Sequence, residues 1–224
     1  MSAWAAIAPH RLTWEVAMLH TVATGTALLA SLAATAVVPS SSLASAPPPG
    51  KVTVTVVSAN GSGCPAGTTG VSASARGASF KVTYRAFTAS AGGGASALDF
   101  RKNCQLALSV SARKGWTWAI SRIASTGSAT LRSGASATQV TSFYWAGDSR
   151  TGRVSQAFTG PLSGPWQRVK KVATRDLIYQ PCGQRRNLNV NIELRVRSGA
   201  AGGRNVLTLD STSGSTFSLV WRRC

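Results

Sequence analysis

Both histidines, His10 and His20, stand in the first 20 residues and none follows. Ser–His–Asp and Cys–His catalysis and imidazole metal sites all need that side chain. The chain beyond His20 therefore lacks those chemistries. Its carboxylates are Asp99, Asp148, Asp176, Glu193 and Asp210. Glycoside hydrolysis sets two of them across a cleft about 5 to 10 Å wide, and Asp148, Asp176 and Glu193 are the candidates for a carbohydrate-active hydrolase. Each also has a structural explanation: "GDSRTG" makes Asp148 a turn residue, Asp176 sits beside Arg175, and Glu193 has strand-neighbour arginines. Phosphate-cradling and calcium-binding loop motifs are missing, and "AGGG" does not open a helix. No catalytic, cofactor-binding or metal-binding residue is assigned, and no cofactor is expected.

Four cysteines remain, Cys64, Cys104, Cys182 and Cys224. A structural zinc site needs close pairs of ligands, and these cysteines are too far apart for that. An even count in an exported chain reads as two disulfides. Three pairings are possible. Cys64 with Cys104 and Cys182 with Cys224 is favoured, because both bridges then close similar loops within the two halves. The terminal cysteine would rivet the last strand.

Lysine and arginine total 24 against 6 acidic residues, a formal charge of +18. Arg11 and Glu15 cancel, so the chain beyond them keeps the whole imbalance. Such a field attracts phosphate polymers, acidic glycans and anionic head groups with little specificity. Lys81, Thr83 and Arg85 share the outer side of one strand, and Arg195 and Arg197 that of another. If those strands are neighbours, they form a basic stripe; if not, they are solvated faces that discourage edge pairing. Trp166, in "SGPWQR" between turn residues, is the tryptophan expected at the surface, where its indole beside Arg168 would stack on a sugar ring or base. Trp116, Trp118 and Trp221 are expected in the core. No specific nucleic-acid motif is present.

These residues need a scaffold, and the sequence describes one. An apolar run from about Val22 to Val38 leads to Ala44, Ser45 and Ala46 before three prolines, the shape of a secretory signal over residues 1–46. Met18 is an alternative start. The run is short for a membrane span and is broken by Thr and Gly. A proline-rich linker, 47–51, follows, and 52–224 reads as the exported domain, expected to be monomeric and without a span.

Within it, "LNVNIELRV" puts Leu188, Val190, Ile192, Leu194 and Val196 on one face and Asn189, Asn191, Glu193 and Arg195 on the other. Strict period-two alternation means a half-buried antiparallel strand. The period recurs at Phe80–Tyr84, Cys104–Val110, Trp116–Ile120 and Phe217–Trp221. Shorter candidates lie at Val52–Ser58, Gly70–Ala75, Thr138–Trp145, Val154–Phe158, Val169–Ile178 and Asn205–Leu209. Turn signals such as "STG", "PLSGP" and "GAAGG" separate them. The expectation is an all-β fold: an antiparallel, jelly-roll-like sandwich of about ten strands with two disulfides.

The segments "GSGCPAGT", "DFRKNCQLAL", "PCGQRRNLNVNIELRV" and "WRRC", with "FTGPLSG" and "FYWAG" between, resemble the secreted four-cysteine family of fungi and actinobacteria known as domain of unknown function 4360. The resemblance covers about Val52 to Cys224. It implies an exported, disulfide-containing β protein and supplies no established activity, cofactor or catalytic residue. Its shared residues, among them Gly63, Pro65, Asn103, Pro181 and Asn191, look like turn, disulfide and strand-end architecture. Residues and resemblance together point to a secreted, non-enzymatic protein that contacts anionic or carbohydrate polymers at the cell envelope through Lys81, Arg85, Trp166, Arg168, Arg195 and Arg197. The alternatives are the hydrolase and an effector or inhibitor that binds a partner protein.

Overall fold

The computed structural model describes residues 51–224. The expected signal peptide and all but the last residue of the linker lie outside them. Twelve strands follow in order: β1 (Thr53–Asn60), β2 (Thr69–Ala73), β3 (Ser79–Tyr84), β4 (Thr88–Ala91), β5 (Arg101–Ser111), β6 (Trp116–Leu131), β7 (Ser136–Trp145), β8 (Gly152–Thr159), β9 (Leu162–Lys171), β10 (Leu188–Arg197), β11 (Asn205–Leu209) and β12 (Ser215–Arg223). A single 3-10 turn, Thr174–Asp176, stands between β9 and β10.

All strand pairs are antiparallel. The first sheet runs β1-β5-β10-β7-β8. In the second, β12 and β11 lie end to end along one edge of β6: Ser215 pairs with Ser125 and Leu209 with Gly127, two residues apart on the long strand. On the other edge of β6 lies β9. β3 and β4 flank β12 and β11 in the same end-to-end way, and β2 closes the far side. Each sheet thus has five ribbons, two of which in the second sheet are interrupted strands. From β3 onward the chain visits the sheets in the alternating order of two interlocked Greek keys, a jelly roll. β1 and β2 extend one edge of each sheet.

The core lies between the sheets, where the inward residues of both interdigitate. Trp145 of the first sheet meets Trp118 of the second edge-on at 4.6 Å, and Trp221 lies 6.1 Å from Trp118. Two of these indoles donate to loop carbonyls, Trp145 to Ile178 at 3.2 Å and Trp221 to Gly77 at 2.9 Å. Hence the ring cluster also holds down the connections. The bridges Cys64–Cys104 and Cys182–Cys224 have Cα separations of 5.3 and 5.7 Å. The second one fastens the end of β12 to the loop that enters β10.

Four expectations need correction. The strand expected at Val169–Ile178 runs instead over Leu162–Lys171, through the "PLSGP" segment read as a turn. Likewise "STG" lies inside the 16-residue β6. The two misread segments pair with each other, Gly127 with Trp166 and Ser128 with Pro165. Pro165 is tolerated because β9 is an edge strand. A Cβ at Gly127 would run into the Thr208 carbonyl and the Trp166 indole, so glycine here makes room rather than a turn. That close approach also places Trp166 inside, 5% exposed and edge-on to Phe158 at 4.8 Å. Trp116, expected in the core, is only half-buried, beneath the Arg223 guanidinium at 4.6 Å.

The interior is not wholly apolar. Gln139 and Gln156 pair across β7 and β8, both buried. Gln139 donates to Ser125 at 3.0 Å, and Ser125 shares a hydrogen bond with Ser215 at 3.2 Å. Neither polar atom of the Gln156 side chain has a protein partner. A buried polar group without partners costs about 1 to 3 kcal/mol. Replacing Gln156 with methionine, close in shape, is therefore expected to leave the urea midpoint unchanged or raise it, whereas Ser125→Ala lowers stability by about 1 to 2 kcal/mol. Removing the 182–224 bridge by double serine substitution is expected to cost about 4 kcal/mol in the loop-entropy model, read from urea unfolding of the variant against the oxidised parent.

Candidate functional site

Turned away from the core, the first sheet presents a largely polar surface, with Val140 and Ala157 among its outward residues. Its central strand β10 places Asn189, Asn191, Glu193, Arg195 and Arg197 outward, since every inward position from Leu188 to Val196 is apolar. Asparagine is depleted in strands, so sheet stability alone does not call for two of them at the centre. Register extends each outward residue into a row. Asn60, Gln105, Asn191, Ser142 and Arg153 form one that crosses all five strands. The next row holds Asn103, Glu193, Val140 and Ser155, and the one after it Arg101, Arg195, Thr138 and Ala157. Strands are about 4.8 Å apart and successive rows about 7 Å, which makes the face a grid of amides and hydroxyls beside cations.

Glu193 organises the cationic part. Arg101 donates through Nε to Glu193 Oε2 at 2.6 Å, and Arg195 pairs with Oε1 at 3.0 Å. The glutamate is the least exposed of the three, so two guanidiniums are held around one carboxylate and leave a net positive charge. Arg197 and Arg153 share its hollow of about 360 Å³. Arg195 Nε and Asn191 Oδ1 are buried atoms without a partner in the protein.

Comparison with known proteins places the chain in a family. Residues 50–224 match the model of a domain of unknown function, DUF4360. The chain belongs to that family. An uncharacterized secreted protein of the fungus Arthroderma benhamiae is 28% identical over 182 residues, 80% of this chain and 74% of the relative. The DUF4360 domain here is a secreted, disulfide-containing β protein.

Of the DUF4360 residues singled out from sequence, Arg195 and Arg197 lie on this face. Lys81 and Arg85 do not join them: β3 belongs to the second sheet, so the stripe that depended on neighbouring strands does not form. Lys81 borders a shallow hollow with Ser72, Ser79 and Thr216, and Arg85 is exposed in the break between β3 and β4. Trp166 is in the core and presents no stacking surface, while Arg168 covers the Phe158 ring at 5.4 Å. The three hydrolase candidates stand on different elements. Asp148 lies in the β7–β8 turn, Asp176 in the 3-10 turn and Glu193 on β10, and the hollows lined by Glu193 and by Asp176 contain no second carboxylate.

Sequence reasoning passed over Gln105, Tyr144 and Arg153, and read Arg101 and Asn103 only as shared family architecture. Their signal was the alternation itself, read on the polar side: "RKNCQL" sets its arginine, asparagine and glutamine on one face. Elsewhere Arg150 grips Asp148 with Nε at 3.1 Å and Nη2 at 2.7 Å. These hydrogen bonds, with one from the Arg150 backbone amide, hold the Asp148 carboxyl at about 2. Its folded value lies below the unfolded one, so the contact favours the folded state above about pH 4 and that contribution fades as pH falls toward 2. Carboxyl-detected NMR should show the Asp148 midpoint near pH 2, and Arg150→Ala, which removes the guanidinium but keeps the backbone amide, should raise it part of the way toward the ordinary aspartate range.

Proposed function

We propose that this DUF4360 domain binds acidic polysaccharide at the cell envelope, laying the polymer across the outer face of the first sheet. The polar row that crosses all five strands, next to arginines gathered around Glu193, carries the reading. An amide offers a donor and acceptors, as sugar hydroxyls require. Arginine's planar fork matches carboxylate and ester oxyanions. Amides at strand spacing then supply orientation, and the cations supply long-range attraction. Single-stranded nucleic acid is instead held by stacked aromatics, and Tyr144 is the only aromatic outward residue of this sheet.

Retention on immobilised polygalacturonate, heparin and unmodified dextran across a sodium chloride series tests the proposal. The acidic resins should retain the protein. Arg195→Ala with Arg197→Ala should lower the logarithmic salt slope by about two, and Asn189→Ala with Asn191→Ala should weaken retention at every salt concentration. Absence of retention in dilute buffer overturns it. So does an equal loss from Arg222→Ala with Arg223→Ala on the second sheet, since that would show bulk charge at work.

A further inference from the structure

At the open side of the sandwich, where β8 and the end of β9 meet the 3-10 turn, lies a hollow of about 470 Å³. Four cations, Arg150, Arg153, Lys171 and Arg175, line it from two stretches of chain, 150–154 and 171–178, against one lining carboxylate, Asp176. Arg150 is already held by Asp148, and Arg175 only touches Asp176 at 3.8 Å, its side chain 88% exposed. Arg153 and Lys171 make no ion pair among the described residues. Discouraging edge pairing would need cations spread along β8 and β9, not gathered at the rim of one hollow. Neighbouring like charges repel, and a cleft with low-dielectric walls focuses their field on whatever anion enters. The floor is apolar, with Val154 and the buried Ile178.

We infer that this hollow binds a sugar residue carrying a phosphate or sulfate ester, the ring lying on the apolar floor and the ester oxygens meeting Arg153 and Lys171. Its volume falls in the range of small-ligand sites, and guanidinium groups meet tetrahedral oxyanions with paired hydrogen bonds. Arg153 also lines the hollow on the sheet face. A polymer on that face would deliver its esterified unit to the cavity by way of Arg153. The inference rests on the polysaccharide reading only for that continuity; the hollow itself would take a monomer.

The probes are glucose 6-phosphate, glucose 6-sulfate, glucuronate and glucose, followed by NMR titration of the full exported domain at constant ionic strength. The two esters should shift the amides of Thr151 to Val154 and Val172 to Ile178. Glucuronate should act more weakly, and glucose not at all. Lys171→Ala and Arg175→Ala, both exposed, should each weaken ester binding about fivefold. Asp148→Asn frees the Arg150 fork and should tighten it about threefold, while Asp210→Asn, which removes the same charge in the β11–β12 loop, should leave it unchanged. Equal shifts from all three anions, shifts scattered over the surface, or equal gains from both aspartate variants overturn the inference. Arg195→Ala with Arg197→Ala should spare monomer binding, so failure of the sheet-face reading and failure of the hollow give different results.

Discussion

Alternate burial along β10 is the constraint on which the rest depends. Its inward residues Leu188, Val190, Ile192, Leu194 and Val196 are all essentially inaccessible, and the strand lies between β5 and β7 at the centre of its sheet. Sliding the register by one residue would bury two asparagines, a glutamate and two arginines while exposing five aliphatic side chains. Burial of each aliphatic group contributes about 1.5 to 3 kcal/mol, and uncompensated charge burial costs more. The register is therefore fixed by the core, and the outer grid of amides and arginines inherits its spacing from the same pairing. Core and surface are two readings of one alternation.

The second sheet meets a different demand, because two of its ribbons are broken. β3 and β4, and β12 and β11, each stop and resume across a short excursion, yet both pieces of the second pair hold to the single continuous strand β6. Backbone pairing carries across the gap: the Thr126 amide donates to the Gly214 carbonyl at 2.9 Å, and the Asp210 amide to the Thr126 carbonyl at 3.0 Å. Few backbone groups are left stranded, as a buried sheet requires. Beside the break lie Ser125 and Ser215, which continue through Gln139 into the first sheet. Polar residues thus enter the jelly-roll interior next to the interruption, where side-chain hydrogen bonds tie the two sheets together.

Most of this architecture was legible in the sequence where alternation was long. "LNVNIELRV" and "CQLALSV" gave strand, face and core membership together. The cysteine pairing also followed from separations of similar size. Legibility failed where a residue type has two uses. Glycine at 127 and the proline and glycine at 164–165 read as turn chemistry, but they serve close approach of Trp166 and an unpaired edge. Gln139 and Gln156 stand in windows with no unbroken apolar face, so nothing local marks them as buried. The site was half legible. Arg195 and Arg197 are evident from one strand, whereas the row through Asn60, Gln105, Asn191, Ser142 and Arg153 exists only after five strands are placed in register. Lys81 and Arg85 failed for the same reason, because which strands become neighbours is a property of the topology.

Net charge and the amide grid do different work, and the absence of histidine separates them further. Beyond His20 the chain lacks the one side chain whose ordinary pKa lies between pH 5 and 8, and no described cysteine is free to titrate as a thiol. The positive field is then nearly constant over the range in which secreted proteins work. Ionic strength and the ligand's own ionisation remain as the variables. Attraction of that kind is strong at a distance and indifferent to structure. Hydrogen bonding by fixed amides is the reverse, short in range and sensitive to the order of donors and acceptors. On the proposed reading, a surface that joins the two would gather acidic polymers by charge and discriminate among them through amides whose spacing β10 sets from within the core.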